Sequence, residues 1–187
     1  MKKLLCTLLA LVMVIGSMFV LVACGDSDDS KKKNDDDEKN ETVIPEGYIE
    51  YNNGKISFAY PENWKKTPGS VDTLVNESGV GNNITVSYEE GSDIYSEMDI
   101  ASFNKTLKPI FESFGMTVTN ASVEQLKNGN NVKVTKIKYD AKVATTSMTQ
   151  TMLVVAVDDL NYIVTVTETE AQPELAQNAY NTLKIVE

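Results

Sequence analysis

Alternating hydrophobic and polar positions predict β-strands along most of the chain from residue 48 onward. Ile56, Phe58 and Tyr60 fall on one face of a first strand, which Pro61 ends. The same alternation predicts further strands over residues 73–76, 83–88, 117–126, 131–139, 145–157 and 161–168. Turn-forming sequences separate the later strands, so consecutive strands are expected to pair as antiparallel hairpins.

A helical period replaces this alternation after residue 99. The spacing of the apolar residues places them along one face of a helix: Phe103, Leu107, Ile110, Phe111 and Phe114. Asp99 or Ser102 is a candidate N-cap, and Gly115 lies where a C-terminal glycine is expected. Pro109 falls inside the pattern and predicts a kink, or a helix with a short second part.

A second, shorter helix is predicted after Pro173, with a narrow apolar stripe formed by Ala176, Ala179, Tyr180 and Leu183. The order of strands, helix, strands, helix predicts an α+β fold in which helices pack on an antiparallel sheet. Within 131–139 the apolar parity slips between Val134 and Ile137, which predicts a β-bulge. Threonines at 145–151, 165 and 167 predict a sheet face partly open to water.

The first 24 residues have the layout of a secretory signal. A basic start, Met1-Lys2-Lys3, precedes an apolar run from Leu4 to Ala23. The sequence Leu21-Val22-Ala23-Cys24 is similar to the lipobox of bacterial lipoprotein precursors. This similarity implies cleavage before Cys24 and a diacylglycerol on its thiol, with palmitate as the expected acyl group. An uncleaved membrane helix is the alternative, because about 20 apolar residues suffice to span a bilayer.

The segment that follows the cysteine is dense in Asp, Lys, Ser and Asn and lacks aromatic residues until Tyr48. Such a composition buries too little apolar surface to fold, so we predict a disordered, charged tether. Calcium binding is the alternative, but the acidic residues lack the EF-hand spacing. The predicted organisation is a signal peptide over 1–23, the lipidated cysteine and tether over 24–47, and a folded domain over 48–187.

The composition argues against several kinds of chemistry. A formal charge of −10 is unfavourable for a nucleic-acid partner, because phosphate binding needs a basic face. The chain has no histidine and no arginine, which removes the imidazole base, the histidine metal ligand and the guanidinium clamp. Its two cysteines, Cys6 and Cys24, both lie in the N-terminal segment, so no disulfide framework is predicted. We predict no cofactor and no metal site.

Two remaining patterns are candidates for catalysis. Ser102 and Lys105 match the Ser-x-x-Lys of penicillin-binding proteins, but the partner motifs of those enzymes are missing. Paired carboxylates are the other chemistry that needs no histidine. The candidate pairs are expected at strand ends or turns, where carboxylates are ordinarily solvated: Glu89/Glu90, Asp158/Asp159 and Glu168/Glu170. We therefore predict that the protein is not an enzyme.

The stretch Gly54–Trp64 resembles the opening strand of PsbP-like proteins, in which an alternating apolar strand runs into Tyr-Pro, polar residues and a Trp. The order of a long helix, an antiparallel meander and a C-terminal helix also resembles the PsbP/Mog1 α/β/α sandwich. The resemblance implies this fold over most of 48–187, and Trp64 is expected in the core. The family includes a photosynthetic accessory protein, a nuclear-transport cofactor and many bacterial lipoproteins, so it implies no functional residue.

These observations predict a membrane-anchored, extracytoplasmic lipoprotein that acts as a non-enzymatic binding or accessory module of a cell-envelope complex. The expected partners are membrane lipid, through Cys24, and an integral membrane or envelope protein. Binding of a soluble peptide or glycan is the alternative function, and it requires a pocket with a few convergent polar groups. A carboxylate-dependent hydrolase is the least favoured alternative.

Overall fold

The computed structural model describes residues 43–67, 69, 71–76, 81–91, 94–170 and 172–186. The predicted signal peptide, Cys24 and most of the tether lie outside the described residues. Within the described residues the chain forms ten strands and two helices. The predicted antiparallel α+β fold is confirmed.

Seven strands of the described chain form the large sheet, in the spatial order β3-β4-β5-β9-β8-β7-β6. All neighbours in this sheet are antiparallel. The chain passes from β5 to the far edge strand β6 through the first helix, α1. The bounds are β3 Lys65–Thr67, β4 Asp72–Val75, β5 Asn83–Glu90, α1 Ile100–Ser113, β6 Met116–Lys127, β7 Lys133–Val143, β8 Thr146–Val157 and β9 Leu160–Glu168.

A small sheet joins the two ends of the described chain in the order β1-β2-β10. Its strands are β1 Tyr48–Asn52, β2 Ile56–Pro61 and β10 Lys184–Ile185, and the second helix, α2 (Pro173–Thr182), precedes β10. The strand predicted at Ile56–Tyr60 is therefore confirmed. The sequence pattern missed β1, β3 and β10, because strands of two to five residues are too short to establish a period.

The two faces of the large sheet are buried in separate clusters. The first face packs against α2 and the small sheet, and its cluster includes Trp64, Leu153 and Leu175. The second face packs against α1, with Phe103 and Tyr139 in its cluster. A helix therefore lies on each side of the sheet, as the α/β/α sandwich predicted. Trp64 is a core residue, as expected, with 6% of its surface exposed.

Helix α1 confirms the predicted cap but not the predicted interruption. The Asp99 carboxylate accepts a hydrogen bond from the backbone N–H of Ser102 at 2.7 Å. Gly115 has φ +80°, as a C-terminal glycine requires. The helix runs without a break through Pro109, which excludes the alternative of a separate short second part, and the alternative of a kink stays a prediction. The buried stripe on either side of the proline offsets the lost hydrogen bond.

The bulge lies in a different strand from the one predicted. Pairing shifts between Thr119 and Ser122 in β6, and strand β7 pairs with β8 without a shift. The slip in parity along 131–139 has another cause. Val134 packs in the cluster of the first face and Ile137 in that of the second, because β7 is buried on both sides.

The prediction of a threonine face partly open to water is confirmed near the β7–β8 turn and wrong further along the strands. Thr145, Thr146 and Thr149, near the β7–β8 turn, remain accessible, whereas Thr151, Thr165 and Thr167 are buried. Threonine suits a buried strand because its branched side chain packs on the pleated surface as valine does. Neither α1 nor α2 is long and apolar enough to cross a membrane, and no other helix of the described residues is.

Candidate functional site

The Ser102/Lys105 pattern belongs to a helix cap. Both the backbone and the side chain of Ser102 hydrogen-bond the Asp99 carboxylate, which lowers the pKa of Asp99. Ser102 is half-buried and Lys105 is exposed on the surface of α1. The serine is therefore engaged in capping the helix, and the arrangement does not provide an activated nucleophile.

The candidate carboxylate pairs do not converge on a common cleft. Asp158 and Asp159 are both exposed at the β8–β9 turn, and Asp158 forms an ion pair with Lys55 at 2.8 Å. Glu168 accepts a hydrogen bond from the backbone N–H of Gln172 at 3.0 Å. Burial raises the pKa of Glu168, a half-buried residue. Neither arrangement holds two carboxylates on opposite sides of a substrate-sized space, as glycoside hydrolysis requires.

The structure corrects the prediction that Glu89 is solvated. Glu89 lies in β5 with 7% of its surface exposed. Because side chains alternate along a strand, it is on one face of the sheet while Tyr88 and Glu90 are on the other. Burial raises the pKa of Glu89, and the nearby Tyr95 hydroxyl partly opposes that rise. Neither Glu89 Oε1 nor Tyr95 Oη has a partner at full hydrogen-bonding geometry. The described residues contain no group of three or more carboxylates, cysteines or histidines that could hold a metal.

The large sheet and the small sheet border a cleft of about 500 Å³, which we call the inter-sheet cleft. This volume is within the range of small-molecule sites. The small sheet and its first turn supply part of the wall, and strands β4, β5 and β9 supply the rest. The lining residues are Tyr51, Asn53, Val71, Asp72, Val86, Ser87, Tyr88 and Tyr162.

The cleft is open where β4 starts, leaving the end of β5 uncovered. Asp72, the first residue of β4, pairs with Val86, and β5 continues past this point to Tyr88 and beyond. Tyr88 is consequently 63% exposed. Its ring lies 5.9 Å from that of its cross-strand partner Tyr162, at an interplanar angle of 40°. Two tyrosine rings therefore form one side of the cleft.

The polar groups of the cleft are held in place by neighbouring strands. The Tyr51 hydroxyl donates to Asp72 Oδ2 at 2.5 Å, and Lys66 Nζ lies 2.8 Å from Asp72 Oδ1. Burial raises the pKa of Asp72, but these bonds outweigh it, so the carboxyl is ionised and neutralised by lysine. Asn53 Oδ1 accepts from the backbone N–H groups of Lys55 and Ile56, which fixes the amide at the rim.

A second depression lies on the first face of the large sheet, near the β7–β8 turn. It is a shallow space of about 660 Å³ between rows of threonines and charged side chains, including Lys138, Asp140 and Lys142. Hydrogen bonds from Asn120 and Thr149 lower the pKa of Asp140. The positive and negative charges are balanced here, and no aromatic residue lines the surface.

The sequence pattern did not identify the inter-sheet cleft. Tyr88 and Tyr162 are 74 positions apart in the chain and meet only because β5 pairs with β9. Tyr51 lies on β1, which sequence analysis missed. A tyrosine at the polar end of an apolar strand was the available signal, since Tyr88 follows the buried residues Ile84 and Val86 on the same face.

Comparisons with known proteins bear on the fold. No family model matches the chain, and no curated protein does. Cyanobacterial PsbP (CyanoP) from Synechocystis sp. PCC 6803 is similar with a TM-score of 0.57 and 12% identity, over 76% of this chain and 95% of that one. The agreement extends over nearly the whole cyanobacterial domain, and the fold is PsbP-like.

Two further solved structures show looser similarity. A protein from Bacteroides thetaiotaomicron VPI-5482 gives a TM-score of 0.47 at 12% identity. The similarity covers 71% of this chain but only 45% of the length of the Bacteroides protein. LpqN, described as involved in cell envelope biogenesis of Mycobacterium tuberculosis, gives 0.44 at 13% identity over 75% of this chain and 91% of that one. Identities this low leave function to be argued from the site.

Proposed function

We propose that this chain is a lipid-anchored, extracytoplasmic lipoprotein whose PsbP-like domain is a non-enzymatic binding or accessory module of a cell-envelope complex. The observation that carries the proposal is the sequence Leu21-Val22-Ala23-Cys24 at the end of a basic and then apolar segment. A diacylglycerol on Cys24 supplies two acyl chains. Two chains anchor a protein stably to a bilayer, whereas one chain binds only reversibly.

The distance between anchor and domain supports a role beside membrane proteins. The first strand begins at Tyr48, and only a short charged segment of the sequence separates it from Cys24. Roughly 20 flexible residues span about 25 Å root-mean-square, and like charges extend such a chain. The domain is thereby confined within tens of ångströms of the bilayer, which raises its effective concentration toward integral partners.

The side-chain chemistry of the domain favours binding over catalysis. In the described part of the chain, the Ser102 pattern serves a helix cap and Asp158 pairs with Lys55. The buried carboxyl of Glu89 has Tyr95 as its neighbour, and no second acid contributes to its raised pKa. Catalysis by paired carboxylates needs two groups whose environments set different pKa values across a substrate.

A soluble-ligand binding lipoprotein is the second candidate function, and the inter-sheet cleft favours it. The cleft has the volume, the aromatic wall and the fixed polar groups of a small-molecule site. Both functions place the domain outside the cytoplasm on a lipid anchor. They differ in whether the main contact is a protein or a small molecule.

Cross-linking in intact cells tests the accessory role. The full chain is cross-linked, purified in detergent, and its partners are identified by mass spectrometry. Cys24→Ala removes the proposed anchor, and Cys6→Ala is the matched control, because that cysteine lies in the segment predicted to be discarded. We expect one membrane protein in near-equal amount with the wild type and with Cys6→Ala, and its loss with Cys24→Ala. Recovery of no specific protein would refute the accessory role and leave ligand binding.

A further inference from the structure

We propose that the inter-sheet cleft binds a neutral saccharide, with the exposed ring of Tyr88 as its stacking platform. The proposal rests on the second candidate function, ligand binding, and is independent of lipidation at Cys24. Tyr88 is one of the few large hydrophobic side chains that the described residues leave exposed, at 63%. Exposure of an aromatic ring to water at the mouth of a cleft is unfavourable, and a ligand that covers the ring removes this apolar surface from water.

The aromatic rings suit the apolar face of a sugar. Tyr88 and Tyr162 are direct cross-strand neighbours with ring centroids 5.9 Å apart. Only 6% of the surface of Tyr162 is exposed, so its buried ring holds the Tyr88 ring in position. The Tyr51 ring is similarly fixed, since it stacks on Phe58 at 4.9 Å. A rigid aromatic surface loses little conformational entropy when a ligand lies on it.

The polar groups suit the hydroxyls of a sugar. Asn53, Asp72 and the tyrosine hydroxyls at the cleft offer both hydrogen-bond donors and acceptors. Several of these groups are already oriented by bonds within the protein, as Asp72 is by Tyr51 and Lys66. A ligand with hydroxyls around an apolar ring face can bond to this rim while its ring covers Tyr88.

The charge balance of the cleft selects against an ionic ligand. Asp72 is the only carboxylate among the residues lining this cleft, and Lys66 neutralises it at 2.8 Å. Lys66 Nζ also lies 5.9 Å from the centroid of the Tyr51 ring, so this aromatic face already has a cation beside it. Among the described residues that line the cleft, no unbalanced charge remains to attract a quaternary ammonium or a carboxylate. A neutral ligand follows from this balance.

Ligand-observed saturation-transfer NMR on the full chain in detergent micelles tests the proposal. The probes are the neutral oligosaccharides chitotriose, maltotriose, cellotriose and mannotriose, with choline and citrate as charged probes. We expect transfer to at least one trisaccharide and none to choline or citrate. Tyr88→Ala should weaken that binding about tenfold, since it removes one aromatic contact. Tyr162→Phe keeps the ring and should weaken binding less.

The matched control is Ile100→Ala, which removes an exposed apolar side chain, 42% exposed, on the opposite side of the large sheet. It should bind as the wild type does. Unchanged thermal unfolding of Tyr88→Ala will show that the variant is folded. Absence of transfer to all four trisaccharides, equal binding by Tyr88→Ala, or Tyr88-dependent binding of choline would each overturn the proposal. Lipidation is read separately from the mass of the Cys24 peptide, so failure of the anchor cannot be mistaken for failure of the cleft.

Discussion

The two faces of the large sheet are buried with different kinds of side chain. The strands of the first face contribute mainly aliphatic side chains, with Leu153 and Val164 completely buried, and the small sheet adds the aromatic rings of Tyr51 and Phe58 to that core. The second face packs against α1 and the segment before it, and four methionines lie in its core beside the aromatic rings, whereas the described first-face cluster contains no methionine. Rings of Phe103 and Phe111 lie 5.8 Å and 5.2 Å from the ring of Tyr139.

Buried polar groups are concentrated on the second face. The Tyr139 hydroxyl donates to Gln150 Oε1 at 2.6 Å, and Gln150 Nε2 donates to Thr167 Oγ1 at 3.0 Å. Glu89 Oε1 and Tyr95 Oη are buried near each other there, and neither has a partner at full hydrogen-bonding geometry. A buried polar group left unpaired costs about 1–3 kcal/mol, so small chemical changes on this face should have measurable effects. The first face also borders the accessible inter-sheet cleft.

The largest effect is expected from truncating the aromatic core of the second face. Phe111→Ala should lower the free energy of unfolding by about 4 kcal/mol, because it leaves a cavity beneath α1. Urea unfolding followed by the fluorescence of Trp64, which lies in the first-face cluster, measures the change across the sheet. An unchanged Trp64 transition would contradict the view that both faces unfold as one cooperative unit.

A smaller effect is expected from breaking the polar chain on the second face. Tyr139→Phe should destabilise the fold by about 2 kcal/mol, since Gln150 Oε1 loses its donor inside the core. Tyr180→Phe is the control, because Tyr180 is half-buried on α2 at the first face. Its effect should stay below about 0.5 kcal/mol in the same urea assay. Equal losses for the two variants would remove the distinction between the faces.

A smaller effect, whose size depends on pH, is expected at Glu89. The pKa of the folded state is raised above the unfolded value, so Glu89 reduces stability as pH rises from about 4.5, and the penalty is complete above the folded pKa. Glu89→Gln should therefore be more stable than wild type at pH 7, by about 1 kcal/mol, with the gain vanishing at acidic pH. The midpoints of urea unfolding for the variant and the wild type, compared across pH 4 to 8, measure this difference in stability.

Asp72, at the inter-sheet cleft, is the control of opposite sign. Its folded pKa is lowered, so its stabilising contribution is present above the unfolded value of 3.8 and is lost as pH falls through the folded pKa. Asp72→Asn should lose less than about 1 kcal/mol at pH 7, because the ion pair is partly solvated. A stability gain for Asp72→Asn at neutral pH would contradict the assigned charge state.

Much of the fold follows from local sequence pattern. The long strands of the meander alternate or run apolar, and Phe103, Leu107 and Phe111 mark one buried side of α1. What failed depended on contacts distant in the chain. The change of parity at Val134 and Ile137 was interpreted as a bulge, but each residue packs against a different helix layer. Pattern alone does not tell which layer covers which part of a strand.

The candidate site was less accessible to sequence analysis than the fold. The inter-sheet cleft forms where β1 meets the large sheet, and its residues come from four separate strands and their turns. Glu89 was expected in water because it stands at a strand end beside Glu90, yet the segment carrying Tyr95 folds back toward it. Conversely, lipidation of Cys24 is a prediction from sequence alone, because a processing signal is a linear motif, and it remains a prediction since Cys24 lies outside the described residues.

The proposed lipid anchor is tested most directly by the mass of the N-terminal peptide of the chain recovered from membranes. The account predicts that the first residue is Cys24 and that it carries acyl chains, in wild type and in Cys6→Ala alike. Cys24→Ala should keep the preceding segment and carry no lipid. An uncut chain with an unmodified Cys24 thiol would contradict the account and favour a membrane-spanning helix.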